Sequence, residues 1–259
     1  MSTDFFTAAL SIRNRYLNLL EAALTGSLYK DPSAASLLPT TGTYNREARA
    51  IGADWPRSAH TMIGHARMRN LRQVCEAAIL DNVPGDFLEA GVWRGGSCIF
   101  MRGILEAYGD TQRRVFVADS FKGLPVPNAD EYPADAGSTL HMHPLLAVSR
   151  EQVEENFRRY GLLDSRVAFL EGWFKDTLPA APIERLSVLR LDGDMYESTI
   201  QVLESCYDKL SPGGAVIIDD YHVLEGCAKA TDDFRSRHGI ISPLLQIDNI
   251  GVWWIVNES

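Results

Sequence analysis

From Phe87 to Val256 the chain alternates short, mostly apolar runs with longer stretches whose apolar positions recur every three or four residues. The runs Phe87–Ala90, Val115–Ala118, Val167–Leu170, Val188–Leu191, Ala215–Ile218, Leu244–Ile247 and Val252–Val256 predict seven strands. They show little of the polar alternation expected of a half-exposed strand, so both of their faces are expected to be covered. The stretches Ser97–Tyr108, Glu151–Tyr160, Glu197–Lys209 and Glu225–His238 predict helices between them. Such alternation implies an α/β fold with a mostly parallel sheet between helical layers. Only a short turn around Asp248-Asn249 separates the last two runs, which predicts a final antiparallel hairpin.

The first third of the chain reads differently. Phe5 to Leu28 fits one amphipathic helix, and Ser58 to Asp81 fits a second, with Met62, Ile63, Met68, Leu71, Val74, Cys75 and Ile79 along one stripe. Pro32, Pro39, Gly42 and Pro56 fall between them and predict turns. We therefore expect an N-terminal helical extension over 1–57 and an α/β domain over 58–259. Within that domain, residues 122–150 carry Pro125, Pro127, Pro133, Gly137, His141, His143 and Pro144 and have no periodicity. A loop of that length inside a compact domain is expected to be a lid.

Composition narrows the function classes. With 46% hydrophobic and 23% charged residues this is an ordinary globular composition, and a net charge of -9 argues against a nucleic-acid partner. No apolar run reaches the roughly 20 residues of a membrane span. Cys75, Cys98, Cys206 and Cys227 are widely spaced, as expected for reduced thiols in a cytoplasmic protein and unlike a zinc site.

Ligands of parallel sheets bind beyond the carboxyl ends of the strands. This sequence places acids there repeatedly: Glu89, Asp119, Asp192 and the pair Asp219-Asp220. Carboxylates converging on one crevice repel unless cations or hydrogen-bond donors lie among them. Asp192, Asp219 and Asp220, completed by waters, suit a hard divalent cation such as Mg²⁺.

The turn after the first strand, Gly91-Val92-Trp93-Arg94-Gly95-Gly96-Ser97, departs from Gly-x-Gly-x-x-Gly, and Ser97 could cap the next helix. An acid before that turn, Glu89, suits a cationic amino-acid moiety better than a pyrophosphate. Asp119, followed by Ser120, is placed for ribose hydroxyls, a device that nicotinamide-dependent oxidoreductases share. In Gly172-Trp173-Phe174 an aromatic could stack an adenine or belong to the core. Lys175, His141, His143 and His222 are possible bases or surface residues.

Five segments taken in order resemble one known family. They are Pro84 to Gly96, Val117 to Gly123, Gly172 to Thr177, Leu189 to Asp194 and Ile218 to Tyr221. The chain is similar to the macrocin O-methyltransferase (TylF) family, whose members include mycinamicin and novobiocin tailoring enzymes, from about Tyr44 to Trp254. The resemblance implies a Rossmann-like methyltransferase sheet of seven strands with an antiparallel last strand. It implies S-adenosylmethionine as donor and Mg²⁺ on Asp192, Asp219 and Asp220, with Asp192 also matching the proposed base. The cofactor wall is then expected from Thr61, Met62, Glu89, Gly91, Trp93, Ser97, Asp119, Ser120, Gly172, Trp173, Phe174 and Asp192. Glu89-Ala90-Gly91 stands where Glu-Thr-Gly is usual. The acceptor is expected to be a hydroxyl on a glycosylated small molecule, with Tyr44, His141, His143 and His222 as candidate contacts and a homo-oligomer, dimer or tetramer, as the assembly. Other readings of the same residues are a phenolic or catechol O-methyltransferase, a nicotinamide-dependent oxidoreductase, a metal-dependent hydrolase and a non-catalytic binder.

Overall fold

The computed structural model describes residues 3–36 and 42–257. Five strands, β3 (Asp86–Ala90), β4 (Val115–Asp119), β5 (Val167–Glu171), β6 (Leu186–Leu191) and β7 (Leu210–Ile218), run parallel. The C-terminal strands β8 (Leu245–Gln246) and β9 (Val252–Ile255) form the expected antiparallel hairpin, and β9 pairs antiparallel with β7. The sheet order β5-β4-β3-β6-β7-β9-β8 reverses at β3, the point where a parallel sheet opens a crevice.

Because side chains alternate along a strand, the two faces of the sheet nucleate separate cores. Phe87, Val115, Val117, Val188 and Ile217 pack with α3 (Gly64–Leu80), α4 (Gly96–Tyr108) and α1 (Thr3–Leu24). Leu88, Phe116, Leu189, Leu191 and Val216 pack on the opposite face with α7 (Tyr196–Cys206) and α8 (Glu225–Arg237). Each expected strand is present, with bounds shifted most in β6 and β7. Pro212-Gly213-Gly214 lies inside β7, where the register against β6 shifts between Leu186 and Val188.

The N-terminal region departs most from expectation. Between α1 and α3 lie α2 (Arg46–Ala50) and a two-stranded antiparallel sheet, β1 (Ser33–Ser36) with β2 (Asp54–Pro56). Strands this short carry no readable periodicity. A buried Arg49–Asp54 pair holds them, and Arg49 also donates to the carbonyls of Thr25 and Asp31. Pro39, one of the expected turn residues, lies outside the described residues. The second helix begins at Gly64, six residues later than periodicity suggested. His60 and Thr61 instead donate their backbone N–H groups to the Leu24 carbonyl, and the His60 carbonyl accepts from Gly96. That connection carries Thr61 and Met62 past the carboxyl ends of the strands.

Candidate active site

A crevice of about 630 Å³ opens at the carboxyl ends of β3, β4, β5, β6 and β7. All of the residues expected in the cofactor wall line it: Thr61, Met62, Glu89, Gly91, Trp93, Ser97, Asp119, Ser120, Gly172, Trp173, Phe174 and Asp192. The local backbone is unusual at three of its turns. Trp93 after β3, Phe121 after β4 and Asp194 after β6 all take left-handed φ values, of 47°, 55° and 63°. Non-glycine residues reach that region at a cost met by surrounding contacts. One such contact is Asp119, whose carboxylate oxygens accept from the N–H groups of Val92 (2.8 Å) and Phe121 (2.7 Å). Gly91 is needed for close approach, since a side chain there would overlap the Asp192 carbonyl oxygen.

The acids are held by arginines the sequence reading did not assign. Arg190, almost wholly buried in β6, lies beside Glu89 in the register and donates to Glu89, Asp219 and Asp192, the last at 2.9 Å. Arg67 of α3 donates to the other oxygen of Asp219 and stands 3.3 Å from Asp248. An arginine in a fully covered strand has no water to solvate it, so it demands carboxylate partners. That rule is the signal by which Arg190 could have been found. Glu89 accepts the Cys98 thiol at 2.8 Å, and burial pushes its carboxyl up to about 7 although Arg190 opposes the shift.

Beyond this network three carboxylates face one another. Oxygens of Asp192, Asp194 and Asp220 lie within 4.8 Å of each other, and Asp220 Oδ2 has no hydrogen-bond partner among the described residues. Burial and then the neighbouring acids hold the Asp194 and Asp220 carboxyls well above the usual carboxylate range. Asp192 and Asp220 thus meet as expected. Asp194 joins them, while Asp219 is turned toward Arg67 and Arg190. The trio fits a divalent cation, which would relieve their repulsion and take up the free oxygen of Asp220.

Other expected positions are revised. Ser97 does not cap α4: the helix starts at Gly96 with Gly95 as a left-handed N-cap, and Ser97 is buried in the first turn. Trp173 is 37% exposed on the crevice wall, which removes it from the core. The candidate acceptor contacts Tyr44, His141, His143 and His222 do not line the crevice. Tyr44 faces the Arg49 guanidinium, the His143 ring packs on Trp55, and His222 is exposed against Tyr221. Lys175 and the loop residues Gly123, Leu124, Pro125, Val126, Asn128, Leu140 and Leu146 do reach the wall.

Residues 13–255 match the family model described as macrocin-O-methyltransferase (TylF). The chain belongs to that family. It is an O-methyltransferase, and the family match reaches back into α1, further than the five motifs extend. A relative from Streptomyces olivaceus, 8-demethyl-8-(2,3-dimethoxy-alpha-L-rhamnosyl)-tetracenomycin-C 4'-O-methyltransferase, is 52% identical over 93% of this chain and 92% of its own length. Mycinamicin III 3''-O-methyltransferase from Micromonospora griseorubida is 50% identical over 92% of this chain and 95% of its own. Among solved structures, the O-methyltransferase NovP superposes with a TM-score of 0.90 at 49% identity, covering 95% of this chain and all of NovP.

Proposed function

We propose that this methyltransferase takes its methyl group from S-adenosylmethionine and, with Mg²⁺ bound, places it on a sugar hydroxyl of a glycosylated natural product. The tetracenomycin and mycinamicin relatives support the acceptor class through the sites their names print, and the crevice supports the donor. The observation that carries the metal is the trio Asp192, Asp194 and Asp220, of which, among the described residues, only Asp192 is paired with an arginine. Asp219 retains a second lone pair on each oxygen, so it can join the set without releasing Arg67 or Arg190.

In this reading Glu89 and the turn after β3 face the amino-acid end of the cofactor, Asp119 and Ser120 the ribose, and the exposed Trp173 plane the adenine. A bound divalent cation would lower the pKa of an acceptor hydroxyl and orient it. The acceptor oxygen forms a bond to the methyl carbon as the carbon–sulfur bond breaks, and the hydroxyl proton passes to a carboxylate of the cluster. Asp192 is fixed by Arg190, whereas the described residues show no hydrogen bond to the Asp194 carboxylate. Asp194 is therefore the freer proton acceptor, with Asp192 holding the ion.

The test is a mass-spectrometric screen of glycosylated and phenolic acceptors with S-adenosylmethionine, run with Mg²⁺ and with chelator. A one-methyl gain on a sugar that requires the metal is expected, and Asp192→Asn should abolish it while S-adenosylhomocysteine still binds. Metal-independent transfer would remove the cation from the reaction, and near-normal turnover by Asp192→Asn would remove Asp192 from both the metal and the base role.

A further inference from the structure

Asp135 belongs to a one-turn helix, Pro133–Asp135, within the long loop between β4 and α5 (Arg150–Arg159). It is only 4% exposed. Its Oδ1 accepts from the N–H of Tyr196 at 2.7 Å and its Oδ2 from the N–H of Glu197 at 2.9 Å. Those are the first two residues of α7, a helix whose own N-cap residue, Met195, offers no side-chain cap. A carboxylate there satisfies two orphan donors and faces the positive end of the helix dipole. Gly226 of α8 closes the socket, since a Cβ at that position would lie 2.7 Å from Asp135 Oδ1 and 3.0 Å from the Tyr196 nitrogen. The same helix start follows directly on Asp192-Gly193-Asp194, and Glu197 lines the crevice.

The loop is tied at its far end as well. Trp93, in the left-handed turn after β3, donates its indole N–H to the Leu145 carbonyl at 2.7 Å. Between the two ties, Leu140 forms part of the crevice wall.

We propose that Asp135 is a positioning residue, a latch that holds the 122–150 loop over the crevice by capping α7 and so couples loop closure to the placement of Asp194. The proposal rests on the reading of this crevice as the S-adenosylmethionine site. Asp135→Ala and Asp135→Asn each remove acceptors from the socket, and Gly226→Ala disturbs it without altering Asp135. Hydrogen–deuterium exchange of the 124–146 segment and the release rate of S-adenosylhomocysteine, followed by tryptophan fluorescence, read the latch. Trp55, Trp93 and Trp173 line the crevice as reporters.

Asp135→Ala should speed both loop exchange and release by about five- to tenfold, a cap's worth of stabilisation, with Asp135→Asn intermediate. Adding Gly226→Ala should give less than the product of the two effects, because both act on one socket. Faster exchange confined to the first turn of α7, with loop exchange and release unchanged, would reduce Asp135 to a structural cap and overturn the proposal. If the unaltered protein binds no S-adenosylhomocysteine, the cofactor reading fails, and loop exchange alone then decides the latch. Should Asp135→Ala fail to fold, Asp135→Asn and Gly226→Ala supply the same two readouts.

Discussion

Arg190 is the penultimate residue of a strand buried along its whole length, where a charge persists only with partners. Glu89 supplies one from the neighbouring strand, Asp219 another from beyond β7, and Asp192 a third from its own strand end. Each acid is thereby aimed before any ligand arrives. Removing the guanidinium would leave Glu89 and Asp219 buried with fewer donors. Arg190→Met is expected to destabilise the fold by about 3–5 kcal/mol in urea denaturation, and Glu89→Gln in the same chain should recover part of that loss. A loss below about 1 kcal/mol would mean that the acids need no counter-charge. The arginine was visible in the sequence, but two of its three partners lie 101 and 29 residues away, and nothing in the local pattern pairs them with it.

Among the elements, the turns that follow β3, β4 and β6 do the positioning, and their geometry was only partly readable. The glycine after β3 is visible in the sequence, but the group that approaches it, the Asp192 backbone, is set by the tertiary structure. Gly91→Ala should therefore force β3 and β6 apart, costing about 4 kcal/mol or more or preventing soluble expression. Gly109, also left-handed with φ of 67°, has no atom of the described residues within 4 Å of a Cβ built there. Gly109→Ala should cost only the backbone penalty of about 1–2 kcal/mol, measured by the same urea titration. Equal losses from the two substitutions would show that conformation alone, and not contact between the turns, governs Gly91. The left-handed Trp93, Phe121 and Asp194 were not legible, because their conformations are imposed by contacts such as those of Asp119.

For the molecule as a whole, the crevice is a seam where four turns and a long loop meet, so its occupant should stabilise all of them together. S-adenosylhomocysteine at about a hundred times its Kd contributes about 2.7 kcal/mol to the native state. For a chain of 259 residues that corresponds to a rise in Tm of about 5–10 °C. NAD at the same concentration should leave Tm unchanged, and a comparable rise with NAD would favour the oxidoreductase reading of Asp119. Among the described residues no helix is long and apolar enough to cross a membrane, in keeping with the run lengths in the sequence.

The sequence by itself determined the strands, the helices between them, the closing hairpin and the line of acids at the strand ends. Those features are local, set by hydrophobic period, by turn residues and by the places where a buried run stops. Tertiary structure decided which acids would be neutralised and which left facing one another. It moved Asp219 to the arginines, brought Asp194 to Asp192 and Asp220, and took His141, His143 and His222 away from the crevice wall. The physical reason is that charge pairing and close packing depend on distances between residues far apart in the chain. Arg67 and Asp219, 152 positions apart, meet only after the sheet and its covering helices have formed.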